Sequence, residues 1–354
     1  MYLSLLAEFL ASHEVATDDR FDDTQNLHRL TQLYRGYSVD FLVGAGSNQF
    51  NQLKLKGDTV DLVNGDEEHQ LKGFALCTPT RTGDSVKEVL AGGGFSGMLT
   101  HHGLLYLWGN NDCGQCGPFI EESVSDSIDV VMSVELPKAV TSASLGFAHT
   151  LVIDVDGTVF GFGGNAQGQV DDSNKDPCVH TPTTPLCLKG RACTHVFAGV
   201  FHSAAITAEG DLVVFGRQNS LPQMSEITGS CGVWKPEDGA KVVQVACGQK
   251  HTVAVDDRGR IWTYGDNSKG QLGRDVERQD QSPKCVQLPS SFSEMDVVRV
   301  DCGWSHSIVH LKDAEGKTVI CGWGRSDKGQ LGVVQNMPRA PSHIFSSFED
   351  IQHV

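Results

Sequence analysis

At 354 residues the chain is long enough to bury a large core. Its net charge of −16, with no basic stripe, excludes the usual electrostatic footprint of direct nucleic-acid binding. No run approaches the roughly eighteen apolar residues of a spanning helix, so no membrane segment is expected.

The first eleven residues are apolar, with Leu3, Leu6, Phe9 and Leu10 on one helical face. Glu8 lies inside this run, and it lacks a basic start and a small-residue cleavage pattern. It therefore predicts an amphipathic helix rather than a secretory signal. Residues 12–37 carry Asp18, Asp19, Asp22 and Asp23 and read as a tether. Residues 1–37 are thus expected to be a partly helical extension, and residues 38–354 a single domain.

From there a short phrase returns six times, as a Gly, a polar residue and a worn Gly-Gln-Leu-Gly. The copies start at Gly46, Gly109, Gly163, Gly216, Gly265 and Gly324, at spacings of 63, 54, 53, 49 and 59 residues. A period near fifty means stacked supersecondary units. A second phrase, Gly-x-x-His followed by Ser or Thr, ends at His149, His202, His251 and His306. GGFSGM, from Gly93, reads as a fifth copy with Gly97 in the His slot. Between the phrases lie alternating apolar runs such as Thr150–Asp154, Thr158–Phe162, Thr252–Asp256 and Arg260–Tyr264. These read as half-buried strands joined by hairpins at Gly157, Gly210 and Gly259.

Each unit therefore offers about four strands, and the fold expected is all-β: a closed propeller of four-stranded blades, six or seven in number. The chain ends complement each other. Residues 350–354 resemble a first strand and residues 38–43 a third strand, so closure by pairing the two ends is expected.

The repeat register also disposes of the tempting chemistry. Cys116, of the C-x-x-C at Cys113, stands where other units have Leu53, Val170, Leu272 and Leu331. It reads as a small buried hydrophobe rather than a zinc or redox group. The chain has eleven cysteines and no disulfide framework, which favours a reducing compartment. The four histidines recur once per blade and read as buried ties from their own turn to a neighbouring carbonyl. Gln115, Gln169, Gln271 and Gln330 read as satisfying backbone groups between blades. No phosphate loop, nucleophile elbow or zinc-protease motif occurs, so neither a catalytic residue nor a cofactor nor a metal site is expected.

What varies between equivalent turns lines a shared face. The two variable residues of the Gly-x-x-His turns are read as Phe95 and Ser96, Phe147 and Ala148, Val200 and Phe201, Gln249 and Lys250, and Trp304 and Ser305. Phe95, Phe147, Phe201, Gln249, Lys250 and Trp304 are therefore the expected partner-binding residues, unless they plug the channel. Trp234 joins them, from a loop expected over residues 217–240.

The motifs GDNSKGQLG at Gly265 and ACGQKHTVAV at Ala246 resemble the repeat of the regulator of chromosome condensation superfamily, over residues 38–354. The resemblance implies a propeller, usually of seven blades, in proteins that act as exchange factors for small GTPases, ubiquitin-ligase appendages, light sensors or scaffolds. FLVGAGSNQFNQL, from Phe41, is similar to the start of the alpha-tubulin suppressor (killer-toxin-insensitivity) branch. That likeness implies a monomeric, non-catalytic adaptor in cytoplasm or nucleus. It would bind a small metal-carrying electron donor and support tRNA wobble-uridine modification and diphthamide synthesis. CGWSHS and GRSDKGQLG are similar to an exchange-factor-like branch, and the alternative they imply is a regulator of a small GTPase.

Overall fold

A computed structural model describes residues 43–47, 70–76, 86–118, 127–217, 222, 226–228, 231–276, 278–327, 331 and 339–345. Strands β1 (Val43–Ser47) and β2 (Gln70–Leu76) form an antiparallel pair, and Gly46, which opens the first phrase, lies in β1. Five larger sheets follow in chain order. The first holds β3 (Val86–Ala91), β4 (Phe95–Thr100), β5 (Leu105–Asn110) and β6 (Ser127–Ser133). The second holds β7 (Val140–Leu145), β8 (His149–Asp154), β9 (Val159–Gly164) and β10 (Cys178–Thr183).

The third sheet holds β11 (Cys193–Ala198), β12 (His202–Thr207), β13 (Leu212–Gly216), β14 (Glu226–Thr228) and β15 (Cys231–Trp234). The fourth holds β16 (Val242–Cys247), β17 (His251–Asp256), β18 (Ile261–Asp266) and β19 (Gln279–Cys285). The fifth holds β20 (Asp296–Cys302), β21 (His306–Lys312), β22 (Thr318–Gly324) and β23 (Ser342–Phe345).

Each sheet is an antiparallel meander, one blade of a β-propeller. Five blades and the β1–β2 pair are described, where the sequence predicts six or seven closed blades. The third blade departs from the four-strand expectation. Its chain doubles back, and β14 adds a fifth strand outside β15. The expected loop over 217–240 therefore contains a hairpin instead. The helical extension 1–37 and the closing segments 38–42 and 350–354 lie outside the described residues. Among the described residues the only helical turns are the 3-10 segments Leu186–Leu188 and Ser290–Phe292, which lead into the third and fifth blades.

The core lies in the seams between blades. One cluster joins Leu99, Leu105 and Leu107 of the first blade to Leu145, Val152 and Phe162 of the second. Equivalent clusters fill the second, third and fourth seams. The strands β8, β12 and β17 are buried at every residue, because each is covered on both faces. First strands of successive blades touch one another and ring the axis.

A polar relay crosses these apolar seams. His149 Nε2 lies 2.9 Å from Ser203 Oγ of the next blade, and that hydroxyl donates to the Gln169 carbonyl at 2.6 Å. His251 Nε2 meets Ser307 Oγ at 3.0 Å, and Ser307 donates to the Gln271 carbonyl at 3.0 Å. His202 Nε2 meets Thr252 Oγ1 at 3.1 Å. The hydroxyl proton of Ser203 and of Ser307 is committed to a carbonyl, so each facing imidazole must donate from Nε2. Nδ1 of His149, His202 and His251 is buried with no hydrogen-bond partner.

Two expectations change here. The imidazole ties its blade to the hydroxyl of the next one, not its own turn to a carbonyl. The glutamine side chains serve their own loops: Gln115 accepts from the Cys113 N–H and donates to Asn110 Oδ1. The main-chain carbonyl of the glutamine is what reaches across the seam.

The fifth copy of the second phrase also shifts by two residues. Phe95 opens β4 and pairs with Gly109, as His149 opens β8 and pairs with Gly163. The Gly92 N–H closes onto the Phe95 carbonyl as Gly146 closes onto His149. Phe95, not Gly97, therefore stands in the His slot. Three consecutive glycines, Gly92 to Gly94, gave the phrase two possible anchors. Gly146 itself is obligatory, since an added Cβ would come within 2.5 Å of the His149 ring.

Burial holds His149 and His251 down to about 3 and His202 to about 4. The neutral form is the folded form, and the unfolded value is about 6.5. Their contribution is complete above about pH 6.5 and is lost as pH falls toward the folded values, by about 1.4 kcal/mol per unit per histidine. The melting temperature should fall steadily from pH 7 to pH 4.5 in calorimetry. Burial lowers His306 as well, so replacing His202 by Asn should shrink that slope by roughly a quarter to a third; an unchanged slope would contradict the relay.

Candidate functional site

The Gly-x-x-His turns and the Gly-Gln loops emerge at the same end of the blades, because each His pairs with the Gly that opens its blade's loop. Consecutive turns are joined by main-chain bonds. Gly93 N–H donates to Gly146 at 3.0 Å, Phe147 N–H to Gly199 at 3.0 Å, and Gln249 N–H to Trp304 at 3.1 Å. Turns so joined form a rim whose side chains alone differ from blade to blade.

Phe147 and Trp304 pack edge to face, with centroids 6.0 Å apart and planes at 87°. They belong to the second and fifth blades, which are not neighbours, so they meet over the axis. Phe147 is 46% exposed and Trp304 51% exposed. Each covers the channel mouth and still offers an open face. Phe201 is half-buried, with the Arg217 guanidinium 5.1 Å from its ring centroid. Gln249 and Lys250 are half-buried beside Trp304, and Lys250 makes no ion pair among the described residues.

Two of the expected binding residues lie elsewhere. Phe95 is 1% exposed, because the His slot it fills points into the seam. Trp234 is 3% exposed, because the last residue of β15 turns into the seam between the third and fourth blades. There it packs on Trp262 with centroids 5.2 Å apart. The structure brings Phe147, Phe201, Gln249, Lys250 and Trp304 to one rim, and it adds Arg217. The signal for Arg217 was its position, directly after the Gly of the third unit, where other units carry Asn110, Gly164, Asp266 and Arg325.

A polar cleft of 330 Å³ lies beside this rim, lined by Asn165, Gln167, Asp172, Asn174, Lys175 and Gly216. Burial, then the Asp171 charge, raises the Asp172 carboxyl above the usual range. Its lining holds no histidine, cysteine or serine to pair with that acid. Among the described residues no three His, Cys, Asp or Glu are gathered to hold a metal. Cys116 is fully buried, donates to the Asn110 carbonyl at 3.3 Å, and has its thiol pushed up by burial. No helix among the described residues is long and apolar enough to cross a membrane.

A family model for the RCC1-like domain matches residues 41–354. The chain belongs to the RCC1-like domain family. Human HERC6, a probable E3 ubiquitin-protein ligase, is 28% identical over 262 residues, covering 71% of this chain but only 24% of the ligase. The ultraviolet-B receptor UVR8 of Arabidopsis thaliana is 28% identical over 338 residues, covering 88% of this chain and 71% of the receptor. In structure, human WBSCR16 superposes with a TM-score of 0.71 at 23% identity, over 86% of this chain and 76% of its own. Yeast RCC1 (Prp20), solved bound to Kap60, gives 0.68 at 19% identity, over 87% and 71%. At these identities the two structures support the propeller fold of this RCC1-like chain.

The rim and the core make different demands. Trp304→Ala with Phe147→Ala should leave the melting temperature within about 2 °C of the parent, since exposed side chains away from structural features change stability little. Phe95→Ala or Trp234→Ala should each cost about 3–5 kcal/mol in denaturant unfolding. Equal losses from both sets would show the rim pair to be core.

Proposed function

We propose that the protein is a non-catalytic adaptor that captures a protein partner on the Gly-x-x-His face. The observation that carries this reading is the exposed Phe147–Trp304 pair, held by a rigid rim over the axis. Aromatic anchors fixed on a rigid frame lose little entropy on binding and dominate interface energetics. Phe201 under Arg217, with Gln249 and Lys250, would flank such an anchor and set its specificity. The fold has relatives with protein partners: yeast Prp20 was solved with Kap60 and characterised for binding to Gsp1p and histones.

The finer reading names a small metal-carrying electron donor as the partner, in support of tRNA wobble-uridine modification and diphthamide synthesis in cytoplasm or nucleus. What supports it is the likeness of FLVGAGSNQFNQL, around β1, to the alpha-tubulin suppressor branch. The second reading is a guanine nucleotide exchange factor or regulator of a small GTPase. It is favoured by the Prp20 likeness and the binding of that protein to Gsp1p.

The test is affinity purification of the tagged chain with mass spectrometry, run beside the Phe147→Ala, Trp304→Ala double variant. One stoichiometric partner should be retained by the parent. Its affinity for the variant should fall at least about 30-fold, the loss expected when a hot-spot anchor worth about 2 kcal/mol is removed. Unchanged affinity would move the site off the rim. Release of labelled guanine nucleotide from the captured partner, sped by substoichiometric chain, would favour the GTPase reading over the adaptor reading.

A further inference from the structure

We propose that Cys113 and Cys178 are an oxidisable thiol pair whose disulfide staples the first blade to the second. Cys113 lies in the Gly-Gln loop of the first blade, and Cys178 opens β10, the outer strand of the second. Both are free thiols, partly exposed. The loop rests on β10: a Cβ added to Gly114 would lie 2.6 Å from His180 Nδ1 and 3.1 Å from its Cα. Across this contact the Cys178 sulfur lies close enough to the Cys113 thiol to raise it.

The seam they span lacks one tie of the relay. Phe95 fills the His slot there, so Thr150 keeps its bond to the Gln115 carbonyl, at 2.7 Å, and gains no imidazole. A covalent bond at the outer end of the seam would supply the restraint that the relay lacks at the inner end. It would also close a long loop, which restricts the unfolded chain.

A second pair sharpens the inference. Cys187 and Cys231 also lie side by side, but Cys231 is 2% exposed and packs with Leu188 and Val196. A soluble oxidant reaches the Cys113–Cys178 pair first. Burial and the adjacent Cys178 hold the Cys113 thiol up at about 12, so Cys113 stays protonated at neutral pH and is not the sulfur that meets the oxidant. Hydrogen peroxide takes two electrons from the Cys178 sulfur, giving a sulfenic acid and one water. The Cys113 sulfur then attacks that sulfur. The S–S bond forms, the S–O bond breaks, and the hydroxyl leaves with the Cys113 proton as a second water.

The test exposes the folded full-length chain to hydrogen peroxide, blocks remaining thiols with N-ethylmaleimide, and maps unreduced peptides by mass spectrometry. A peptide linked through Cys113 and Cys178 should be the first to form, should vanish on reduction with dithiothreitol, and should coincide with a higher melting temperature. Cys178→Ser, checked for folding by circular dichroism, should lose that rise. Alkylation of both cysteines after peroxide, or a first link between Cys187 and Cys231 or between Cys113 and Cys116, would overturn the proposal. The linked peptide is read on the parent chain, so it decides even where a serine variant folds poorly.

Discussion

One hydroxyl bridges each of the four described seams and holds the blades in register. Ser203 and Ser307 each sit between two blades, accept from the imidazole of the preceding blade, and donate to a main-chain carbonyl of that same blade. Hydrophobic burial supplies the association of the sheets, but apolar contact has no direction. A hydroxyl that is satisfied only in one geometry fixes how far each blade is rotated against the next. Two consequences follow. The glycine under the imidazole must lack a side chain, and the imidazole must stay neutral.

Where a unit departs from the phrase, the seam changes with it. Phe95 replaces an imidazole in the first blade, and Thr150 opposite it loses a donor without becoming orphaned. In the third unit Leu221 and Pro222 stand where other units have Gly and Gln. His202 nevertheless keeps its bond to the Thr252 hydroxyl, in a seam that also buries the Tyr264 ring. The chain lost from the loop phrase returns as β14, which lengthens that sheet outward. Departures at the seam are thus met by apolar or hydroxyl replacements, while departures at the rim change only what faces solvent.

That division explains what the sequence made legible. Strand positions followed from period-2 alternation: the predicted Thr252–Asp256 is β17 less its first residue, and Arg260–Tyr264 overlaps β18. Phe147 and Trp304 could be placed on the rim because they sit between an invariant Gly and His in their own units. Phe95 could not, since the Gly92–Gly94 run admits two registers and only strand pairing with Gly109 selects one. Trp234 was misplaced for a different reason. Four residues of β15 are too short to show a period, and the hairpin that turns Trp234 inward depends on pairing with β13 and β14. The meeting of Phe147 with Trp304, and of Cys113 with Cys178, joins segments far apart in the chain, which no local pattern encodes.

The relay is tested most directly by a double-mutant cycle on His251 and Ser307, two residues 56 apart in sequence and 3.0 Å apart in space. Stabilities of the parent, His251→Ala, Ser307→Ala and the double variant would be measured at pH 7.5 by denaturant unfolding. A coupling energy of about 1 kcal/mol or more is the result the relay requires. Additive losses, with coupling near zero, would show that the blades are held by apolar packing alone and that the recurring histidines do not join them.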